Sequence, residues 1–348
     1  MRNSNTRRRL TRLFCASGMV VFAAALAACG HSSPESIHQP GGLAFDADGG
    51  RLYVVTPSTV TEIDPTTGKA QQVLTFKSGS YVLALHGSTA YLTAIINSGS
   101  IFSTIVRPID LRTRQALRTI TVSSDLSGLV VAPDGAKAYG IDDGRVDGGS
   151  GIVPIDVTTG IVGRTIAIAD PSNVAITPDG RLAYVTSTSE GTVTPIDLTT
   201  GRTNQPIRVA HANTIGIDPD GTTALVGSNN LEAGGGSGTD YITPIDLATG
   251  QTRASIPVDV SPVAFGFAPN GAEVYVVNYG GGLPGNGSIT PIDLATDRGG
   301  PTICMPGAPF DMAVSPRGDA AYISLAAANQ VRRVDLPLRG QVCALRAP

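Results

Sequence analysis

A short motif, Pro-Ile-Asp followed by a turn sequence, recurs along the chain and constrains the fold more than any other feature. Its clearest copies read TVTPIDLTTG, YITPIDLATG, SITPIDLATD and GIVPIDVTTG. Seven aspartates occupy the repeated position: Asp64, Asp110, Asp156, Asp197, Asp246, Asp293 and Asp335. They stand 46, 46, 41, 49, 47 and 42 residues apart, so a unit of this length repeats seven times.

A second motif precedes each aspartate, and its best copies read TPDGRLAYVT and APDGAKAYGI. Each unit is therefore predicted to hold four short strands, a to d. Strand a is apolar, and strand b alternates tyrosine or a small residue with valine. Strand c ends in the repeated aspartate, and strand d has apolar residues at alternate positions. The glycine of Pro-Asp-Gly supplies the positive φ that closes the a–b turn. The repeated aspartate accepts backbone N–H groups in the c–d turn. A catalytic role would leave six of the seven copies redundant, so we interpret these aspartates as structural residues that hold the c–d turns.

Seven four-stranded units of this period predict an all-β fold, a seven-bladed β-propeller of four-stranded antiparallel blades. A linear solenoid would need polar capping repeats at both ends, and neither end has one. The second unit departs most, because it has His86-Gly87-Ser88 where the others have Pro-Asp-Gly or a close variant such as Pro-Asn-Gly or Pro-Arg-Gly. The sequence QVCAL (Gln341–Leu345) is predicted to be strand d of the seventh blade.

The end of strand b carries a recognisable signature in three units. It reads YVVN at Tyr275–Asn278, YVTS at Tyr184–Ser187 and YVVT at Tyr53–Thr56. Together with the Pro-Asp-Gly and Pro-Ile-Asp elements, these segments resemble the YVTN-repeat β-propeller family from about Pro40 to Leu345. The resemblance implies one propeller domain over residues 40–348.

The N-terminus has the layout of a secretory signal. Five arginines precede Cys29 without any acidic residue, and an apolar run from Met19 to Ala28 ends in small residues. The ending Leu26-Ala27-Ala28-Cys29 resembles a bacterial lipobox. The resemblance implies that residues 1–28 are removed, that Cys29 is lipidated, and that residues 29–39 are a polar tether. The expected product is an extracytoplasmic, membrane-anchored lipoprotein; the alternative is an ordinary cleavable signal with a chance cysteine.

The charge balance argues against nucleic acid as a partner. Without the five leader arginines the chain keeps 20 basic and 28 acidic residues, a net charge of about −8. No basic stripe remains that could neutralise phosphates.

Strand order places the b–c and d–a connections at one end of the propeller, which we call the long-loop face. The a–b and c–d turns lie at the opposite end, the short-turn face. Three b–c connections are long, and recognition commonly resides on such loops. The candidate binding residues on this face are Asp142, Asp143, Arg145, Asp147, Asn229, Asn230, Glu232, Asp240, Asn278, Tyr279 and Asn286.

The oxygens of these residues could suit a divalent cation. The alternative is that these loops are solvated and bind no cation. No full calcium-loop spacing is present, so no metal site and no cofactor is predicted. Cys304 and Cys343 would both be extracytoplasmic, and either a disulfide or two separate buried thiols fits the sequence.

Catalytic motifs are absent from the sequence, which favours a non-enzymatic role. The first hypothesis is a binding or scaffold module for a protein or glycan at the cell envelope. The alternative is a metal-dependent lactonase-like hydrolase or lyase with its site at the channel mouth, an analogy at the level of fold alone. A purely structural envelope protein is a third possibility that the sequence does not separate from the first.

Overall fold

The structure is a computed structural model, and it describes residues 42–46, 48–56, 58–75, 83–98, 101–144, 149–228, 239–280 and 287–343. The chain divides into two compact units, Met1–His31 and Ser32–Pro348. All of the described residues belong to the second unit, so the predicted signal peptide, Cys29 and the tether lie outside them.

The described strands fall into seven antiparallel sheets, one for each repeat. Blade one contains β1 (Leu43–Phe45), β2 (Leu52–Val55), β3 (Thr59–Ile63) and β4 (Ala70–Thr75). Blade two contains β5 (Leu83–His86), β6 (Thr89–Ser98), β7 (Ile101–Asp110), β8 (Gln115–Ala116) and β9 (Ile120–Val122). Blade three contains β10 (Leu126–Val131), β11 (Lys137–Asp142), β12 (Gly151–Asp156) and β13 (Ile166–Ala167). Blade four contains β14 (Pro171–Ile176), β15 (Leu182–Ser187), β16 (Thr192–Asp197), β17 (Arg202–Thr203) and β18 (Ile207–Arg208).

The remaining blades continue the pattern. Blade five contains β19 (Ala212–Ile217), β20 (Thr223–Ser228), β21 (Asp240–Asp246) and β22 (Ile256–Val258). Blade six contains β23 (Pro262–Phe267), β24 (Glu273–Asn278), β25 (Ser288–Asp293), β26 (Arg298–Gly299) and β27 (Ile303–Cys304). Blade seven contains β28 (Pro309–Val314), β29 (Ala320–Leu325), a 3-10 helix (Ala326–Ala328) and β30 (Gln330–Asp335). Where strand d is split, both pieces pair with the same strand c.

The first strands of the blades form a closed ring. Each of β1, β5, β10, β14, β19, β23 and β28 contacts the first strand on either side of it, and β28 contacts β1. A hydrogen bond of 2.8 Å from the Leu43 amide to Asp311 Oδ2 joins the last blade to the first. The predicted seven-bladed propeller with the strand order a-b-c-d is therefore confirmed.

The hydrophobic core is divided among the contacts between blades. Seven clusters of buried residues each combine side chains from two neighbouring blades, and one of them packs Leu43, Leu52 and Ile63 of blade one against Ala313 and Tyr322 of blade seven. Burial of apolar surface is the main favourable term in folding, so the ring is stabilised at every junction, including the one that closes it.

The repeated aspartates hold the c–d turns. Asp197 Oδ1 accepts the backbone N–H groups of Thr199 and Thr200, both at 2.9 Å. The equivalent Asp64, Asp110, Asp156, Asp246 and Asp293 accept turn N–H groups in the same way. The backbone N–H of Thr159 and the Thr158 hydroxyl lower the pKa of Asp156 to about 2. The architectural interpretation is confirmed for these six aspartates.

The a–b turns are equally regular. Gly180 has φ +71° and donates its N–H to the Thr177 carbonyl at 2.8 Å, while Asp179 Oδ1 accepts the Arg181 N–H at 3.0 Å. Blade two departs as expected, because His86 pairs with Thr89 and leaves a turn of only two residues. Its glycine, Gly87, still has a positive φ.

The C-terminal segment corrects one prediction, because Gln341–Cys343 does not complete blade seven. Val342 bridges Ile303 on the outer strand of blade six, and the Cys304 N–H donates to the Gln341 carbonyl at 2.9 Å. Cys304 and Cys343 are joined by a disulfide with a Cα–Cα distance of 5.3 Å. The alternating apolar pattern of this segment would suit the outer edge of either blade six or blade seven. The disulfide and the backbone hydrogen bonds attach it to blade six. Within the described part of the chain, no helix is long and apolar enough to span a bilayer.

Candidate functional site

The long-loop face carries one element that the sequence analysis missed, a projecting hairpin in blade two. Strands β6 and β7 have ten residues each, whereas β15 and β16 of blade four have six. Register with blade four aligns the Ala94–Ile105 pair with the Ser187–Thr192 pair, so four further residue pairs extend past the usual end of the blade. At about 3.3 Å per residue the hairpin projects by about 13 Å.

This hairpin places apolar side chains in solvent. Ile95 is 36% exposed and Ile96 is 43% exposed, both on the projecting part of β6. Thr104, the cross-strand partner of Ile95, is fully buried, with its hydroxyl donating to the Ser124 carbonyl and accepting the Leu126 N–H, both at 2.8 Å. Thr104 thus fixes this part of the hairpin to the neighbouring d–a connection, while Ile95 and Ile96 on the partner strand are exposed.

Three of the predicted binding residues lie below the surface. Asp142, Asp240 and Asn278 end or begin strands at this face, and their side chains are almost completely buried. Asp142 Oδ1 accepts the Gly144 N–H at 3.0 Å, and Asp240 Oδ2 accepts the Ser261 N–H at 2.7 Å. These side chains support the loops from within the protein, which differs from the presentation to a ligand that we expected.

Asn278 belongs to a buried polar network. Its Nδ2 donates to Thr290 Oγ1 at 3.0 Å, and the Ser288 hydroxyl donates to Asp259 Oδ2 at 2.8 Å. The Asn278 Oδ1 atom has no hydrogen-bond partner. Asp259 was not a candidate in the sequence, because it lies in a d–a connection without any repeated motif around it.

An aromatic pair stands beside the channel mouth, where blades six and seven meet. The ring of Tyr279, which follows β24, lies edge-to-face with the ring of Phe310 in β28, at 6.4 Å between centroids. Phe310 is 37% exposed and Tyr279 is half-buried. Tyr279 was predicted, whereas Phe310 was missed because it occupies the bulged second position of strand a, which periodicity does not reveal.

The other predicted site residues divide into two groups. Asp143 is half-buried and engaged in an interaction. The remaining candidates lie outside the described residues: Arg145, Asp147, Asn229, Asn230, Glu232 and Asn286. Among the residues that are described, no three His, Cys, Asp or Glu side chains gather closely enough to hold a metal ion.

Near the channel mouth, the carboxyl group of Asp311 has a raised pKa. Asp311 lies in strand β28, where it accepts the Leu43 N–H and the Met312 N–H, both at 2.8 Å. Burial raises the pKa of its carboxyl to about 6, against the lowering effect of these two hydrogen bonds. Asn173 stands at the corresponding position of blade four, and its Oδ1 accepts the next N–H in the same way.

The raised pKa of Asp311 predicts that part of the pH dependence of the free energy of unfolding comes from this carboxyl group, and that Asp311→Asn removes that part. The folded protein binds the proton of Asp311 more tightly than the unfolded chain does, so this group favours folding at low pH. That contribution is lost as the pH rises through about 6, with a cost of about 1–3 kcal/mol at pH 7.5. Urea unfolding of both proteins at pH 4.5 and 7.5 measures it. The variant should gain relative stability at pH 7.5; parallel changes in the two proteins would contradict the assignment.

The fold and this face define a class: a seven-bladed β-propeller with strands that hold a varied set of loops at one end. Such a rigid scaffold with loops on one face is the general architecture of a binding or scaffold module.

Comparison with curated proteins supports the class. The chain is similar to the seven-bladed beta-propeller protein Rv1057 of Mycobacterium tuberculosis (strain ATCC 25618 / H37Rv), with 32% identity over 160 residues. The match covers 42% of this chain and 38% of that protein, so it spans well under half of the relative's length. No protein-family model matches the chain.

Solved structures resemble the chain over most of its length. Hydrazine synthase of Kuenenia stuttgartiensis aligns with a TM-score of 0.69 and 19% identity, over 90% of this chain and 100% of the other. The β-propeller domain of Cps50 (Swd1) from Myceliophteria thermophila aligns with a TM-score of 0.66 and 12% identity, over 86% and 98% of the two chains. At these identities the likeness concerns the fold alone.

Proposed function

We propose that the protein is a lipid-anchored extracytoplasmic β-propeller that binds a protein partner at the cell envelope through its long-loop face. The observation that carries this proposal is the exposed apolar surface on that face. Ile95 and Ile96 project on the blade-two hairpin, and Phe310 stands with Tyr279 beside the channel mouth.

The composition of the face favours a protein over a glycan. Aromatic and aliphatic anchors dominate the binding energy of protein–protein interfaces. Recognition of a glycan would call for polar side chains around the aromatic rings, but Asp142, Asp240 and Asn278 are buried and hydrogen-bonded within the protein. The exposed Ile95, Ile96 and Phe310 on this face therefore favour a protein partner.

Two features support the location. Leu26-Ala27-Ala28-Cys29 has the form of a lipoprotein processing site. The Cys304–Cys343 disulfide fits an oxidising compartment outside the cytoplasm. The acidic body, at about −8, gives no reason for nucleic acid to be the partner.

The experiment is site-specific photo-cross-linking in intact cells. A photoreactive residue replaces Ile96 on the long-loop face or, as the matched control, Ile161. Ile161 is an apolar side chain, 66% exposed, that follows the c–d turn of blade three on the short-turn face. Discrete protein adducts are expected at position 96 and not at position 161.

The outcomes separate the alternatives. If position 96 gives no adduct, or if both positions give the same adducts, the long-loop face is not the binding surface. If glycosidase treatment removes the adducts at position 96, the partner is a glycan and the choice of a protein is wrong.

A further inference from the structure

The two faces of the propeller differ in charge. The described b–c and d–a connections of the long-loop face contain no lysine or arginine, and their acidic residues are Asp125, Asp143, Asp170, Glu190 and Asp259. The turns of the short-turn face hold acidic residues and also basic ones, among them Arg51, Lys69, Arg112, Arg181, Arg253 and Arg317. In the sequence, the remaining b–c and d–a segments add two basic and two acidic residues, which leave the excess unchanged: Lys77, Arg145, Asp147 and Glu232.

Four of these acidic residues lie on consecutive connections, and we call them the acidic arc: Asp125, Asp143, Asp170 and Glu190. Asp170 and Glu190 are exposed, and the other two are half-buried. The connections belong to blades two, three and four, which are neighbours because β10 contacts both β5 and β14. Over the described ranges, no three acidic, histidine or cysteine side chains approach closely enough to hold a metal ion. The negative charge is therefore spread along a surface.

The acidic arc begins beside the exposed part of the blade-two hairpin. Asp125 stands between Ser124 and Leu126, whose carbonyl and N–H respectively bind the Thr104 hydroxyl, both at 2.8 Å. Thr104 is the cross-strand partner of Ile95, which is exposed. An apolar projection and an acidic surface thus adjoin each other on this face.

The aromatic pair on blades six and seven also suits a cationic partner. Phe310 is 37% exposed and contacts Tyr279 edge-to-face. Arginine and lysine side chains are attracted to aromatic rings. In protein interfaces, apolar anchors supply most of the binding energy, while charges around them select the partner and raise the association rate.

We propose that the partner of the long-loop face is a basic protein. Its lysine and arginine side chains lie against the acidic arc, and its apolar side chains pack on Ile95 and Ile96. This inference rests on the proposed function and adds the charge of the partner to it. An acidic protein would meet like charge on this face, which disfavours its binding. Because salt screens exposed charges beyond about 10 Å at 0.1 M, binding should weaken as the salt concentration rises.

Photo-cross-linking from position 96 of the full-length protein, in isolated membranes, tests the charge of the partner. The arc variant combines Asp125→Asn, Asp170→Asn and Glu190→Gln, which remove three charges with little change of shape. Asp170 has φ +45°, a conformation that asparagine tolerates well. The arc variant should give about threefold fewer adducts or less than the parent protein, since three exposed ion pairs are lost.

The matched control removes three charges from the short-turn face: Asp48→Asn, Asp134→Asn and Asp179→Asn. Each of these aspartates precedes the glycine of an a–b turn. Asn270 occupies the same position in blade six, where its Oδ1 accepts the Ala272 N–H at 3.0 Å. The turn therefore accommodates asparagine, and the control should give as many adducts as the parent protein.

Salt provides a second readout that needs no substitution in the arc. Adducts of the parent protein should decrease between about 50 mM and about 500 mM NaCl, and those of the arc variant should change much less. Mass spectrometry of the adducts should find lysine and arginine in excess in the partner's cross-linked segment. The salt series decides the question even if the arc variant does not fold.

The outcomes separate this inference from the proposed function. Adducts at position 96 that respond neither to the arc variant nor to salt would keep the binding face and overturn the basic partner. An equal loss in the arc variant and the control, or a cross-linked segment with an acidic excess, would also overturn it. Absence of adducts from the parent protein would overturn the binding face itself, and the basic partner with it.

Discussion

Leu52→Ala is expected to lower the free energy of unfolding by about 3 kcal/mol, within a range of about 2–5 kcal/mol. Leu52 is completely buried in the cluster that packs blade one against blade seven. The loss has two parts: the free energy of transferring the removed carbons out of water, and the cost of the cavity that they leave. The closed ring limits how far the neighbouring blades can move to fill that cavity. Equilibrium denaturation in urea measures the change.

The matched control for this prediction is Leu225→Ala, which removes the same atoms from a completely buried site between blades five and six. In a closed ring no junction is terminal, so the two variants should lose similar stability. A much smaller loss for Leu52→Ala than for Leu225→Ala would show that the junction between the last and first blades contributes little, and would contradict closure of the ring.

The second large effect concerns the disulfide. Cys304 and Cys343 close a loop with a sequence separation of 39 residues, for which loss of the cross-link costs about 4 kcal/mol in the chain-entropy model. The double variant Cys304→Ser, Cys343→Ser should unfold at a lower urea concentration than the unmodified protein. The segment after β30 should also lose its attachment to blade six, since only a short ladder at Gln341 and Cys343 remains.

Reductant provides the control for the disulfide prediction. It should lower the stability of the unmodified protein to that of the double variant and leave the double variant unchanged. If alkylation before reduction labels Cys304 and Cys343 in the purified protein, the two residues are separate thiols and the prediction is wrong.

The fold was predictable because its signals are local and repeated. Asp197 and its equivalents specify a turn by hydrogen bonds within three residues, and Gly180 specifies the other turn by its positive φ. Such signals need no knowledge of distant contacts. The final strand was assigned to the wrong blade because the edges of blades six and seven accept the same apolar pattern, and the choice depends on Cys304, almost forty residues away.

The candidate site was predictable only as a face. Loop length and strand order identified the end of the propeller that carries the varied connections. They did not indicate that Asn278 points toward Thr290 and Ser288, because one position at a strand end can face either a loop or a neighbouring strand. The apolar hairpin was missed because no repeated motif marks the ends of β6 and β7, and only the register reveals four additional pairs.

The long-loop face is expected to bind a protein partner, and the short-turn face is not. Co-purification of the partner identified by cross-linking at position 96 tests this expectation in the full-length variants Ile96→Asp and Ile161→Asp. Both side chains are exposed, and they lie at opposite ends of the propeller. Ile96→Asp should abolish recovery of the partner, whereas Ile161→Asp should leave it unchanged. Undiminished recovery with Ile96→Asp, or an equal loss with both variants, would contradict binding through the long-loop face.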